Sequence, residues 1–243
     1  MKMITFSVRN AKEILRDPLT IFFSLGFPVA LLLLLSAIQA NIPVSLFEIE
    51  NLTPGIMVFG LSFITLFSAS LIAKDRESAL LQRLYTTPLT ATDFIIGYTL
   101  PILPISLGQS IVCCIIAIML GLPITVTVFY TILFIIPISL FFIALGLLCG
   151  SIFNVKQASG ICGALLTNAA ALLSGAWFDL NLVGGALKKI AYALPFVHAV
   201  ELEKAVLNAD YENIFPHILW VLGYAAAAIF IAVFLFLRQM KRQ

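Results

Sequence analysis

Six stretches of this chain run for about twenty residues or more without a single Asp, Glu, Lys or Arg: 19–40, 54–73, 94–120, 125–151, 158–177 and 216–237. A helix rises 1.5 Å per residue, so about 20 apolar residues cross a hydrocarbon core of about 30 Å. Each stretch is long enough. Only 11% of the 243 residues are charged and 61% are hydrophobic, against roughly 25% charged in an ordinary soluble domain. No water-facing fold hides that much apolar side chain, so the solvent of these segments is lipid. The expected fold class is an all-α membrane protein, one transmembrane domain over 1–243 with six spans.

The positions of Lys and Arg set the expected orientation, because flanks on the cytoplasmic side retain basic residues. With the N-terminus inside, eleven of the fourteen basic residues fall on the inner side. Lys188, Lys189 and Lys204 fall outside. An even number of spans in the cytoplasmic membrane, with both termini cytoplasmic, satisfies this division. No cleavable signal peptide is expected, since the first apolar run follows a basic stretch and lacks a small-residue cleavage site.

Within residues 1–17, Ile4, Val8, Ala11 and Leu15 recur at helical spacing, while Arg9, Lys12 and Arg16 fall on the opposite side of the wheel. This pattern predicts an interfacial amphipathic helix, apolar toward acyl chains and basic toward anionic lipid headgroups. A disordered basic leader is the alternative. Pro18 lets the chain turn toward the membrane. Pro101 and Pro104 in the third span and Pro137 in the fourth predict kinks.

Several function classes lose support. The net charge of +2 and the lack of a basic run interleaved with aromatics argue against nucleic acid. The four cysteines form no CxxC pair with nearby His, which leaves helix packing as their expected use. HExxH and GxSxG are absent, and with two His in the whole chain a membrane-embedded enzyme is a thin alternative. His198 and His217 are expected as interfacial residues, without a metal. No Lys, Arg, Asp or Glu lies deep in any of the six spans, which argues against a proton-coupled pump. Gln109 with Ser110, and Thr167 with Asn168, are the notable polar pairs inside spans. Such groups usually bond helix to helix, and lining a translocation path is the other reading. Gly146 and Gly150 give the fourth span a GxxxG face.

The segment 179–215 is the longest connection. Its apolar pieces are broken by Gly184, Gly185 and Pro195, so it is expected as short reentrant helices on the outer side between spans five and six. Trp177, Phe178 and Trp220 are expected as aromatic anchors.

The most charged internal segment lies between spans two and three. Arg76, Glu77 and Arg83 surround Leu81, Leu84 and Tyr85, and Thr87 and Pro88 stop the pattern. A short helix over 75–88 would present a leucine and tyrosine knob to a groove on a soluble partner, or serve as an ordinary surface helix. The run Arg76, Glu77, Ser78, Ala79, Leu80, Leu81, Gln82, Arg83, Leu84, then Thr87, Pro88 and Leu89 resembles the cytoplasmic motif of the ABC type 2 transporter permease family. Ala79 and Leu80 stand where that family usually carries Gly-Thr. The resemblance extends to the N-terminal helix, the six spans and the Leu194–Pro195 step in the outer segment.

The resemblance implies an exporter built from two permease copies, each docked to a separate ABC ATP-binding subunit through the 75–88 coupling helix. Arg76, Glu77, Leu81, Arg83, Leu84 and Tyr85 are then the expected ATPase-coupling residues. The chain has no GxxxxGK[ST] loop, so it binds no cofactor itself and is not the enzyme. ATP and Mg belong to the partner. A hydrophobic or amphiphilic cargo, such as a drug, antibiotic or lipid, suits the weakly polar spans. The alternative is a membrane assembly or signalling subunit that uses the same docking helix without transport.

Overall fold

A computed structural model describes residues 2–42, 47–78, 90–176, 180 and 184–240, all helix, turn or loop. Nine helices are described: α1 (Lys2–Arg16), α2 (Pro18–Gln39), α3 (Ile49–Glu77), α4 (Ala91–Met119), α5 (Val126–Ile152), α6 (155–173), α7 (Gly185–Ala193), α8 (Pro195–Leu207) and α9 (Tyr211–Met240). The end of the bundle carrying α1 is called basal here, and the opposite end distal.

Five helices, α2, α3, α4, α5 and α9, are long and apolar enough to cross a membrane. The remaining candidate, 158–177, falls on the shorter α6. That helix is assembled from Val155–Gly160, a π-helical segment Ile161–Leu166 and Thr167–Leu173. Helix α6 carries Lys156, Gln157 and Asn168 and is not among the five.

Local chemistry explains where the helices begin. Asp17 caps α2, accepting from the Leu19 amide at 3.1 Å and the Thr20 hydroxyl at 2.8 Å, and Pro18 occupies the first helical position. Thr90 and Asp93 form a capping box at α4, and Asn154 and Gln157 form another at α6. Helix α4 continues through Pro101 and Pro104, as α5 does through Pro137. Register changes instead occur at two π-helical segments, Phe22–Gly26 in α2 and Ile161–Leu166 in α6.

Helix α3 is the central post. In its membrane-length window 83% of residues are buried, against 22% in α2 and in α9, so α3 faces protein and the other two present apolar surface outward. Aromatic rings fasten α2 to α3: Phe23 stacks on Phe63 at 5.5 Å, and Phe27 meets the same ring edge-on at 5.4 Å. The GxxxG face of α5 is used within the chain, against α3. A methyl on Gly146 would stand 2.4 Å from Ser68 Cβ, and one on Gly150 2.8 Å from the Ala69 carbonyl oxygen. With the backbones this close, the Thr65 hydroxyl donates to the Phe142 carbonyl at 2.7 Å.

The segment between α6 and α9 does contain short helices. Helix α8 is only 13 residues long, yet it packs against α3, α5 and α9, burying Phe196, Val200 and Leu202 among others. Its C-terminus turns through Ala209 at φ 57°, while the Asp210 amide donates back to the Ala205 carbonyl at 2.8 Å.

Candidate coupling site at the end of α3

The last turn of α3, Asp75 to Glu77, reaches four other helices. No helix breaker falls between Ala73 and Glu77, so α3 runs on to Glu77 and Ser78 ends it, its amide donating to the Lys74 carbonyl at 2.9 Å. The charge pattern in the sequence predicts a separate helix over 75–88. In the structure 75–77 are the end of the α3 helix, because each of these side chains finds a partner on a neighbouring helix.

Asp75 is 1% exposed. Its Oδ2 accepts from Arg9 Nη1 of α1 at 2.7 Å and from the Tyr98 hydroxyl of α4 at 2.7 Å. Arg9 also pairs with Glu13 at 2.6 Å, one turn along α1. Partial burial opposes the guanidinium charge. The hydrogen bond to Asp75 and the fields of Asp75 and Glu13 outweigh it, so Arg9 is held above its ordinary pKa and stays charged. Asn10 completes the junction, donating to the Gly97 carbonyl of α4 at 3.1 Å while accepting from Arg9 at 2.8 Å. Phe6 and Phe94 close over the Tyr98 ring edge-on, at 5.0 and 4.8 Å. A buried carboxylate is tolerable only with such partners.

Arg76 and Glu77 face the turn between α5 and α6. Arg76 Nη1 donates to the carbonyls of Gly150 and Ser151 at the C-terminal end of α5, at 3.1 Å for Gly150. Glu77 Oε1 accepts from the Val155 amide, the first residue of α6, at 2.9 Å. A cation at a helix C-terminus and an anion at an N-terminus both follow the helix dipole.

Leu81, Arg83, Leu84 and Tyr85 lie outside the described residues. Lys12 and Arg16 are exposed on α1, beside Ile4, Val8 and Leu15, which are also exposed. Arg9 instead points into the junction. The third face of α1, Phe6, Asn10 and Ile14, is buried against the bundle. A two-sided wheel does not reveal that face, because Asn10 reads as polar and Phe6 breaks the apolar stripe.

The polar pairs within spans divide. Gln109 is fully buried and donates to the Met57 carbonyl at 3.0 Å, in space left by Gly60, where a methyl would stand 2.1 Å from Gln109 Nε2. Ser110 is buried and donates to the Ser106 carbonyl of its own helix at 3.0 Å. Thr167 is buried and donates to the Cys162 carbonyl at 2.9 Å. Asn168 is exposed on α6, its amide bonded to the Ala164 carbonyl at 2.6 Å. The site residues are not all brought together: Gln109 and Ser110 belong to the bundle interior, and Asn168 faces outward on α6.

His198 of α8 and His217 of α9, on consecutive helices, meet with Nδ1 atoms 2.8 Å apart. His198 Nε2 lies 3.0 Å from the Tyr192 carbonyl. A carbonyl only accepts, so Nε2 carries a proton. His198 Nδ1 is therefore the acceptor and His217 Nδ1 the donor. The His198 ring stacks on Trp220 at 4.7 Å.

Membrane-length helices around a buried central helix, whose terminal turn binds four neighbours, are the architecture of a multi-pass membrane protein. Residues 2–207, from α1 to the end of α8, match the family model described as ABC-2 type transporter. The chain belongs to that family and is an ABC transporter permease. No curated protein matches it closely enough to count as a relative.

Proposed function

We propose that this chain is the permease subunit of an ATP-driven exporter in the cytoplasmic membrane, acting with a second permease copy and a separate ATP-binding subunit that carries ATP and Mg. In this reading α6 is the fifth of six spans, the basal end is cytoplasmic, and the 79–89 segment with Lys12 and Arg16 of α1 meets the ATPase. The observation that carries it is the terminal turn of α3. Residues 75–77 directly precede the coupling segment and grip α1, α4, α5 and α6. A displacement of that segment by the closing ATPase is thereby delivered to four helices at once.

The exposed face of α6, with Gly160, Ala164, Leu165, Asn168 and Leu172, supports a path wall that is apolar with one amide. Such a wall suits a hydrophobic or amphiphilic cargo, and the second copy is the element expected to face it.

The test is reconstitution with the ATPase. Wild-type permease should co-purify with it and support ATP-dependent export from proteoliposomes. The variant Asp75→Asn with Arg76→Ala should retain binding and ATP hydrolysis while export falls at least tenfold. Undiminished export by that variant, or failure of any ATPase to bind the wild type, overturns the reading.

A further inference from the structure

Glu203 is the one acid that α8 carries into the middle of the bundle. It is 0% exposed, and neither carboxylate oxygen has a hydrogen-bond partner among the described residues. Its surroundings are α3, α5 and α9, against which α8 packs, and Cys114 of α4, which lies within electrostatic range and itself touches Met57 of α3, sulfur to sulfur, at 3.9 Å. An ionised carboxylate without a donor cannot be held in such a place, whereas the neutral acid can.

Other charged and titratable groups on these elements are engaged or face away. On α8, Lys204 pairs with Glu201 at 3.2 Å, and His198 pairs with His217 of α9. Glu50 of α3, Tyr130 of α5 and Glu212 of α9 are exposed, and Tyr224 of α9 donates to the Ala193 carbonyl at 2.7 Å. No cation reaches Glu203 among the described residues. Burial pushes its carboxyl well above the ordinary value.

Helix α8 is a short element with a defined break at each end. It is bounded by the extended residue Leu194, with Pro195 opening the helix, and by the left-handed turn at Ala209. At 13 residues it is shorter than the membrane-length helices α3, α5 and α9 against which it packs.

We propose that Glu203 is a proton-binding site: it holds a proton while α8 is packed into the bundle and releases it to water when α8 withdraws. Proton binding requires only that α8 move; its place in a transport cycle rests on the permease reading above. The balance is one proton. The packed form carries the neutral acid, and the withdrawn form carries the carboxylate with the proton in solvent. Since the packed form binds the extra proton, it loses stability as pH rises. Opening increases about tenfold per pH unit while the packed acid stays neutral and the hydrated one is ionised.

Hydrogen–deuterium exchange of peptides covering 195–207, corrected for intrinsic chemistry, reads this directly on the full-length protein in lipid nanodiscs, without ATPase or cargo. A failed permease reading therefore does not alter its outcome. Between pH 7 and 9, above the ordinary histidine range of about 6.5, wild-type α8 should lose protection with rising pH. Glu203→Gln should show flat protection at or above the wild-type value at pH 7. The nearby control Glu201→Gln should keep the wild-type response. Should Glu203→Gln not fold, Glu203→Leu makes the same comparison with an apolar side chain. Flat wild-type protection, or a Glu203 variant that follows the wild-type slope, overturns the proposal.

Discussion

Arg76 and Glu77, adjacent at the end of α3, hold opposite ends of the same turn. The guanidinium binds the last carbonyls of α5 and the carboxylate binds the first amide of α6. Each charge has the sign that its helix end favours. Glu77→Ala should cost about 1 kcal/mol by removing a capping acceptor, and Arg76→Ala should fray the end of α5. Exchange confined to residues around 147–160 would show both effects. Uniform protection there would contradict the clamp.

The Arg9–Asp75 pair joins α1 to α3 and is half in solvent on the arginine side, at 39% exposed. Arg9→Ala should therefore destabilise by ~2 kcal/mol, less than the ~3–5 kcal/mol of a fully buried pair. Combined with Asp75→Asn, the two losses should be clearly sub-additive in thermal unfolding. Additive losses would mean that the pair contributes nothing through direct contact.

Two glycines should respond in opposite directions. Gly150→Val forces side-chain atoms onto the Ala69 backbone, so α5 must separate from α3 and the melting temperature should fall steeply. Nothing lies within 4 Å of a methyl on Gly160, so Gly160→Ala should leave the monomer unchanged or stabilise it by about 0.5–1 kcal/mol through helix propensity. Differential scanning fluorimetry in detergent ranks them.

Ala209 occupies left-handed backbone at φ 57°, a conformation that costs an L-residue roughly 1–2 kcal/mol. Ala209→Gly should therefore raise the melting temperature. A decrease would mean that the Ala209 methyl makes contacts worth more than the strain.

The histidine pair predicts an acid response. Burial pushes His198 below its ordinary value, so the packed α8–α9 pair binds fewer protons than the separated one. Its stabilisation is present at neutral pH and is lost as pH falls through the ordinary histidine value of about 6.5 and below. Trp220 fluorescence, recorded in a Trp177→Phe background, should change with a midpoint below that value. His198→Gln should abolish the transition. This sign is opposite to that of Glu203, which acts at higher pH.

Much of the site was legible in part. Arg76 and Glu77 stand out in the sequence as charges beside a helix end, but their spacing is equally compatible with an external partner, and the α5–α6 turn that they bind lies more than seventy residues away. Asp75 reads as one more surface acid. It is buried only because Arg9, from another helix, and Tyr98, from a third, converge on it. Glu203 falls outside every apolar stretch long enough to span, so a search of the spans for ionisable groups passes over it.

What the sequence by itself determined is what a single helix expresses: which segments are long and apolar enough for lipid, where Pro18 lets the chain turn toward the membrane, how basic residues divide between the ends, and the Arg76–Leu89 pattern that resembles its family. These follow from composition and from periods of a few residues. The tertiary structure alone decided which faces meet: that Gly146 and Gly150 close on α3, that Gln109 fills the space beside Gly60, that histidines of two consecutive helices share a hydrogen bond, and that α8 carries inward an acid with no hydrogen-bond partner among the described residues. Those outcomes depend on packing between helices, where one side chain's burial is set by the shape of another element rather than by its own neighbours in the chain.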